Sequence, residues 1–172
     1  LNEPSLAALA TQPELIPDEF WRALPGGEAD TIKFRGAVLL QCEGLRDRRG
    51  GRLVVLVDGE AIGDVSWRPA QWGPSEGSVC PAIGIALLPQ FRGKGYGTIA
   101  ERLLADHLFR EYGAHRVQSD TAADNPAEQR ALEKAGFRRE GIVRDAEERD
   151  GRFHDHVLYG LLREEWRAAS AE

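Results

Sequence analysis

Residues 87–98 read Leu-Leu-Pro-Gln-Phe-Arg-Gly-Lys-Gly-Tyr-Gly-Thr. An apolar run at 79–88 precedes the glycines and an amphipathic segment at 99–112 follows them, which predicts a strand, a tight turn and a helix start. Glycines let a backbone approach an anion closely, and the free amides and dipole of a helix N-terminus favour negative charge. Arg92 and Lys94 add positive charge beside the turn. The stretch therefore predicts a phosphate-binding site.

Other glycine-rich motifs are excluded by spacing. The chain contains no G-x-x-x-x-G-K-[ST] run, and Gly93, Gly95 and Gly97 are spaced by two, which does not match the dinucleotide pattern G-x-G-x-x-G. The pattern R-x-x-G-x-G is present at Arg92, Gly95 and Gly97. On this turn alone, a plain glycine-rich connection between a strand and a helix stays open as an alternative.

A second block supports the phosphate reading. Residues 124–137 read Asp-Asn-Pro-Ala-Glu-Gln-Arg-Ala-Leu-Glu-Lys-Ala-Gly-Phe, and a third block at 149–159 reads as a closing strand pair. The three blocks resemble signatures of the Gcn5-related N-acetyltransferases (GNAT), in particular the branch that acetylates ribosomal-protein N-termini and small amines. The resemblance covers about residues 53–166, with the blocks in the family's order.

The resemblance implies an α/β fold, with helices on both faces of a mixed, mostly antiparallel sheet. It implies one domain over residues 1–172, in which 1–36 form a helical acceptor-side region and 37–172 form the sheet and the acyl-CoA core. It also implies acetyl-CoA as co-substrate, in contact with Ile85, Leu87, Leu88, Arg92, Gly93, Lys94, Gly95, Tyr96, Gly97, Thr98, Asn125 and Arg130.

Periodicity and turn signals give the expected elements along the chain. Helices are predicted at 4–24, 99–112 and 126–135, and hairpins at Asp58-Gly59 and Asp150-Gly151. Strands are predicted at 37–43, 53–57, 61–67, 79–88 and 115–120, with a loop at 69–77. The family usually opens with a strand before its first helix, and no such strand precedes Asn2.

Composition narrows the class of protein. The length of 172 residues predicts one domain, and the net charge of −6 argues against a nucleic-acid surface while agreeing with a cationic amine as acceptor. No apolar run approaches the roughly 20 residues of a membrane span, and no signal segment opens the chain. Cys42 and Cys80 form neither a disulfide framework nor a metal pattern, so we expect reduced thiols, a cytoplasmic protein and no metal site.

Acetyl transfer to an amine needs a neutral nitrogen, donors for the oxyanion and a proton for the leaving thiolate. By resemblance, the thioester lies between the strands at 79–88 and 115–120, with an amide near Ile85 or Ala86 as oxyanion donor. The tyrosine that many members place near the thiolate falls at Leu132, the branch's serine falls at Glu128, and its fourth-strand glutamate falls at Ala82. The family's acid and base therefore cannot be assigned at these positions.

Three carboxylates remain as catalytic candidates: Glu128, Glu76 and Asp120. Glu128 supports two interpretations, a base near the thioester or the third residue of a capping box that starts at Asn125. Glu76 lies in the loop before a strand, where a solvated charge is the alternative. Alternation places His154 and His156 on the face opposite Asp155, so these three do not form a ready-made dyad.

We therefore expect an N-acetyltransferase that uses acetyl-CoA. The acceptor would be a primary amine of a small molecule or of a protein N-terminus, attacking directly in a ternary complex. The alternative is a CoA-binding sensor or scaffold module with little turnover. No nucleic-acid or membrane partner is expected, and a homodimer is possible because dimers are frequent in the branch that the chain resembles.

Overall fold

The computed structural model describes residues 50–57 and 60–169. The helix predicted at 4–24, the strand at 37–43 and the turn at Asp58-Gly59 lie outside these residues. The described strands are β1 Gly51–Val57, β2 Glu60–Gln71, β3 Val79–Leu87, β4 Arg116–Ala122, β5 Arg138–Arg149 and β6 Arg152–Leu162. The helices are α1 Tyr96–Arg110, α2 Pro126–Lys134 and the short α3 Arg163–Ala169.

The six strands form one sheet in the order β1-β2-β3-β4-β6-β5. All neighbours are antiparallel except β3 and β4, which are parallel and are joined by the crossover helix α1. This confirms the predicted mixed, mostly antiparallel sheet. The parallel pair in the middle of the sheet is the feature that positions the site.

The described helices cover one face of the sheet, which we call the helix face. Leu104 and Leu108 of α1 and Leu132 of α2 are fully buried there in one cluster with residues of the strands. Trp166 of α3 stacks on Phe109 of α1 at 5.2 Å between ring centroids, so α3 lies on the same face. None of the helices within 50–57 and 60–169 is long and apolar enough to cross a membrane.

The helices and strands predicted within the described residues are confirmed, with shifted ends. Helix α1 begins at Tyr96, three residues before the predicted start, because Gly95 has a φ of 85° and serves as its N-cap. Strand β2 continues to Gln71, where it pairs with Val79, so the loop predicted from 69 is shorter. The hairpin at Asp150-Gly151 is confirmed, since both residues have positive φ, 54° and 72°, as its turn type requires.

Asp64 on β2 is a buried carboxyl group whose ionisation opposes folding. Its side chain is 2% exposed, and burial, partly offset by the charge of Arg52, raises its pKa to about 6. Arg52 Nε lies 3.1 Å from Asp64 Oδ2, and within the described part of the chain Oδ1 has no hydrogen-bond partner. The folded-state pKa exceeds the unfolded value of about 3.9. The contribution of Asp64 to stability is therefore fully present below about pH 4 and is lost as the pH rises through the folded-state value.

Asp64→Asn should remove this pH dependence. Relative to the variant, the wild-type free energy of unfolding is expected to fall by up to about 3 kcal/mol between pH 4 and pH 7, because one pKa unit corresponds to about 1.4 kcal/mol. Urea unfolding of both proteins at the two pH values measures the difference. A difference that stays constant between them would contradict the raised pKa of Asp64.

Candidate functional site

The strands β3 and β4 separate after a short parallel contact. They pair only at Ala82 with Gln118 and at Ile83 with Ser119, whose hydroxyl donates to the Ile83 carbonyl at 3.2 Å. Beyond this contact β3 continues over 84–87 and β4 over 120–122 without pairing with each other. The sheet therefore contains a gap, which we call the β3–β4 gap, that opens toward the C-terminal ends of both strands.

The edge of β3 offers backbone groups to this gap. Because the Ile83 carbonyl points toward β4, alternation turns the N–H and C=O of Ile85 toward the gap as well. Ala86 faces the other way and pairs with Asp64 of β2. Of the two amides considered from the sequence, the Ile85 N–H is the one available to a group inside the gap.

The glycine turn lies at the end of β3 and opens α1. Gly93 and Gly95 have φ values of 73° and 85°, and a Cβ at either position would meet no atom within 4 Å. The Ile99 N–H donates to the Gly95 carbonyl at 3.3 Å, and the helix geometry leaves the amides of residues 96–98 without intrahelical acceptors. Open space and free amides thus meet at one helix N-terminus, the arrangement that binds phosphate.

Cations flank the turn. Arg92 Nε donates to the Leu87 carbonyl at 2.8 Å, which holds the exposed guanidinium beside the turn, and Lys94 Nζ lies 5.4 Å from the centroid of the Phe91 ring. Both backbone groups of Leu88 are already used, since its N–H donates to Ile62 and its carbonyl accepts from Phe91. The Leu88 N–H is therefore not available to acetyl-CoA.

Helix α2 begins just beyond the end of β4. Asn125 is its N-cap: Asn125 Oδ1 accepts from the Glu128 N–H at 3.2 Å, and Nδ2 donates to the Thr121 hydroxyl at 3.4 Å. The Asn125 N–H donates to the Ala122 carbonyl rather than to a carboxylate. The Asn125 half of the expected capping box is thus present. Burial first, and then the nearby Glu128, raise the pKa of the Glu101 carboxyl group on α1.

Polar groups gather on the opposite, open face of the sheet. Asp120 is the first β4 residue beyond the contact with β3, and its Oδ2 accepts a hydrogen bond from His156 Nδ1 at 2.7 Å. His156 Nε2 lies 3.3 Å from Glu147 Oε2, and Arg68 Nη2 lies 3.7 Å from Asp120 Oδ1. These four side chains form a charged network at the edge of the gap.

Strand register creates this network. Ala122 is opposite His156, which places Asp120 diagonally across from the imidazole on the same face. A bulge between Val143 and Glu147 brings the Glu147 carboxylate to the other ring nitrogen. Burial acts to lower the pKa of His156, but the hydrogen bonds and charges of Asp120 and Glu147 outweigh it and raise the pKa above its usual value.

Comparison with known proteins assigns the family. Residues 3–138 match the acetyltransferase (GNAT) domain. The chain belongs to this family. A probable N-acetyltransferase of Bacillus subtilis, YjcK, is 39% identical over 80 residues, 46% of this chain and 44% of that protein. The chain spans about half the length of the curated relatives that it matches.

Solved structures share the fold. The crystal structure of a probable acetyltransferase has a TM-score of 0.69 and 29% identity, covering 94% of this chain and 87% of that one. The structure of RimL, a ribosomal L7/L12 alpha-N-protein acetyltransferase in complex with coenzyme A, has a TM-score of 0.66 and 22% identity, covering 94% and 90%.

The three candidate catalytic residues lie in three different places in the structure. Asp120 lies on the open face of the gap, and Glu128 lies on the helix face. Glu76 is exposed at the other end of β3, where it lines a cavity of about 220 Å³ with Trp67 and Tyr112. The structure does not bring Glu76 together with the other two.

Three further side chains can be placed: Leu132, where many family members have a tyrosine, and the tryptophans Trp67 and Trp72. Leu132, at the tyrosine position, is fully buried in the core, so no group there reaches the gap. Trp67 is buried beside His107 and Tyr112, as core packing predicts, whereas Trp72 is 63% exposed and donates from Nε1 to Gln118 at 2.7 Å. Of the two tryptophans, Trp72 is therefore the one that an acceptor can contact.

Sequence reasoning considered His156 without its contact with Asp120, and it missed Glu147 and Glu101. His156 and Glu147 depend on the register of β6 and on the bulge in β5, which no local pattern reveals. Glu101 left a readable signal, since it lies three residues before the buried Leu104 and four before the buried Ala105. A carboxylate at that spacing is an anomaly on the apolar side of a helix.

Proposed function

We propose that this chain is an acetyl-CoA-dependent N-acetyltransferase that transfers the acetyl group to a primary amine by direct attack in a ternary complex. The observation that carries the proposal is the β3–β4 gap, which opens beside the glycine turn at the N-terminus of α1. Family membership supports it, and so does the coenzyme A bound to RimL, a protein of the same fold.

The parts of the site have separate roles in the proposal. The amides of residues 96–98, with Arg92 and Lys94, bind the pyrophosphate of acetyl-CoA. The pantetheine arm extends along the free edge of β3 and places the thioester carbonyl in the gap, where the Ile85 N–H donates to the developing oxyanion. Holding both reactants in line contributes about 7–11 kcal/mol without further catalytic groups.

The acceptor amine approaches from the open face in this proposal. An alkyl ammonium with a pKa of about 10.4 must lose a proton before its nitrogen can attack. Asp120 is the carboxylate nearest to the end of the β3–β4 contact on that face, and His156 and Glu147 extend it into a network. We assign Asp120 as the proton acceptor and His156 as the residue that positions it.

The homodimer that the resemblance leads us to expect stays a prediction.

Thiol release from acetyl-CoA tests the function directly. Wild-type protein is mixed with acetyl-CoA and, one at a time, a polyamine, an amino sugar, an aminoglycoside and peptides with free N-termini. The proposal expects amine-dependent release of coenzyme A and an equal amount of acetylated amine by mass spectrometry. Tight coenzyme A binding without turnover of any amine would instead favour a sensor or scaffold module.

A further inference from the structure

The indole ring of Trp72 crosses β3 on the open face of the sheet. Trp72 directly follows β2, and its N–H donates to the Ser78 carbonyl at 3.0 Å, which continues the β2–β3 ladder by one residue. Alternation therefore turns its side chain to the same face as that of Arg68, which reaches Asp120 from β2. The indole Nε1 donates to Gln118 Oε1 on β4 at 2.7 Å. The ring thus extends from the end of β2 across β3 to β4.

Gln118 fixes one edge of this ring. Its side chain is 7% exposed, and its Oε1 also accepts from the buried Cys80 thiol at 3.5 Å. If the indole turned away, this buried oxygen would lose its stronger donor. Trp72 itself is 63% exposed. The indole is therefore held by its N–H edge, while most of its apolar surface faces solvent, a combination that is typical of tryptophan at binding surfaces.

The ring lies next to the proposed base. Gln118 belongs to the short contact between β3 and β4, and Asp120 is the first residue of β4 beyond it. Residues two apart on a strand project from the same face about 7 Å apart. When an amine nitrogen is at Asp120, the carbon chain that it carries is therefore within reach of the Trp72 indole.

An open groove continues this surface beyond the ring. Arg116 lies two residues before Gln118 on the same face of β4, which places it about 13 Å along the strand from Asp120. The base, the indole and the groove therefore follow one another in a line. The groove has a volume of about 440 Å³ and is lined by Trp72, Gly77, Ser78, His115, Arg116 and Glu140.

The charges of Arg116 and Glu140 neutralise each other in this groove. Both Glu140 oxygens accept from Arg116, one from Nη1 and the other from Nη2. The hydrogen bond from Arg116 lowers the pKa of Glu140, so the carboxylate is ionised at neutral pH. The pair lies across β6 at Gly160, where a Cβ would come within 2.3 Å of Glu140 Oε1. Since both oxygens are already bonded to a cation, the Glu140 carboxylate is not available to a second ammonium group.

We propose that Trp72 determines which amine is acetylated, and that the acceptor is a primary amine with a long, linear and uncharged chain. This proposal rests on the proposed acetyl transfer. The amine nitrogen loses its proton to Asp120, the chain lies along the indole, and its far end enters the groove. Gln118 does not touch the acceptor in this proposal; it is a positioning residue that holds the ring.

A series of linear amines tests the role of Trp72. Butylamine, hexylamine and octylamine are compared by thiol release from acetyl-CoA. A chain that lies on the ring is covered on one side, so wild-type kcat/KM should rise about twofold per methylene, roughly half of the effect of full burial. Trp72→Ala should remove this rise and give similar kcat/KM values for all three amines. The KM for acetyl-CoA should stay at the wild-type value.

Two further variants separate the ring from general effects. Phe153→Ala is the matched control, because Phe153 is 66% exposed and, by alternation with the buried Val157, projects from the helix face. It should keep the wild-type rise with chain length. Gln118→Leu keeps the bulk of the side chain but removes the acceptor for the indole N–H. It should raise the KM for octylamine several-fold and leave kcat for butylamine unchanged, and a wild-type KM for octylamine would overturn the positioning role.

A diamine tests the neutral groove. Octylamine and 1,8-diaminooctane have the same length, but the second ammonium group would have to enter the groove without a free carboxylate. Per amino group, wild-type kcat/KM should be lower for the diamine, and a higher value would overturn the preference for an uncharged chain.

The same assays tell the two proposals apart. Wild-type protein and Trp72→Ala that acetylate amines with the same dependence on chain length would overturn the role of Trp72 alone. Wild-type protein that acetylates none of these amines and none of the acceptors in the broader panel would overturn the acetyl transfer itself, and the role of Trp72 with it.

Discussion

Replacing Asp120 with asparagine is expected to lower kcat for amine acetylation by about 100- to 10,000-fold, the usual contribution of a general base. Asparagine keeps the shape of the side chain but has no ionised oxygen that can take a proton. Asp120 lies directly beyond the last paired residues of β3 and β4 and bonds His156 at 2.7 Å. The loss should appear in kcat, because the residues expected to bind acetyl-CoA lie elsewhere.

Steady-state kinetics with a fixed amine measure this loss. Asp150→Asn is the control, because Asp150 lies in the β5–β6 hairpin with a φ of 54°, where asparagine is as well accepted as aspartate. The control should keep wild-type kcat, and both variants should keep the wild-type KM for acetyl-CoA. Equal kcat values for Asp120→Asn and the control would exclude Asp120 as the base.

The pH profile shows which group carries the proton. Activity requires the Asp120–His156 pair in its less protonated form, so the rate should fall as the pH drops through the apparent pKa of the pair. That value should lie above the ordinary histidine pKa of about 6.5, because Asp120 and Glu147 raise the pKa of His156 despite its burial. In His156→Asn the acidic limb should therefore move to lower pH.

The glycine turn before α1 and the N-cap of α2 could be predicted from sequence because their signals are local. Residues 87–98 contain Gly95, which has a φ of 85° between the strand and the helix. Residues 124–128 contain the N-cap of α2. Glycine turns and caps act over three or four residues, so their chemistry is visible in a short window. The family and the sheet that these local patterns predict are confirmed.

The acid–base groups could not be predicted in the same way. The contact between Asp120 and His156 joins residues 36 apart and depends on the register of β4 against β6, which no short window shows. The Glu147 contact depends on a bulge within an exposed strand. The sequence leaves Glu128 open as a cap residue or a base, and the buried Glu101 that lies near it belongs to another helix, outside any short window around Glu128.

Gly95→Ala should weaken coenzyme A binding about 100-fold or more. With a φ of 85° at Gly95, an alanine costs about 1–2 kcal/mol in that conformation, so the turn relaxes and the amides of residues 96–98 lose their common direction. Two hydrogen bonds to a charged phosphate are worth about 1.5–3 kcal/mol each, and each 1.4 kcal/mol is about tenfold in affinity. Calorimetric titration with coenzyme A measures the change.

Gly151→Ala separates backbone strain from phosphate binding. Gly151 has a φ of 72°, and its Cβ, like that of Gly95, would meet no atom within 4 Å. Both variants therefore carry the same kind of strain, but Gly151 lies in the β5–β6 hairpin and should leave affinity unchanged. Pantetheine, which lacks the pyrophosphate, should bind both variants and the wild type equally. An equal loss for pantetheine and coenzyme A in Gly95→Ala would mean that the turn acts on the arm rather than on the phosphates.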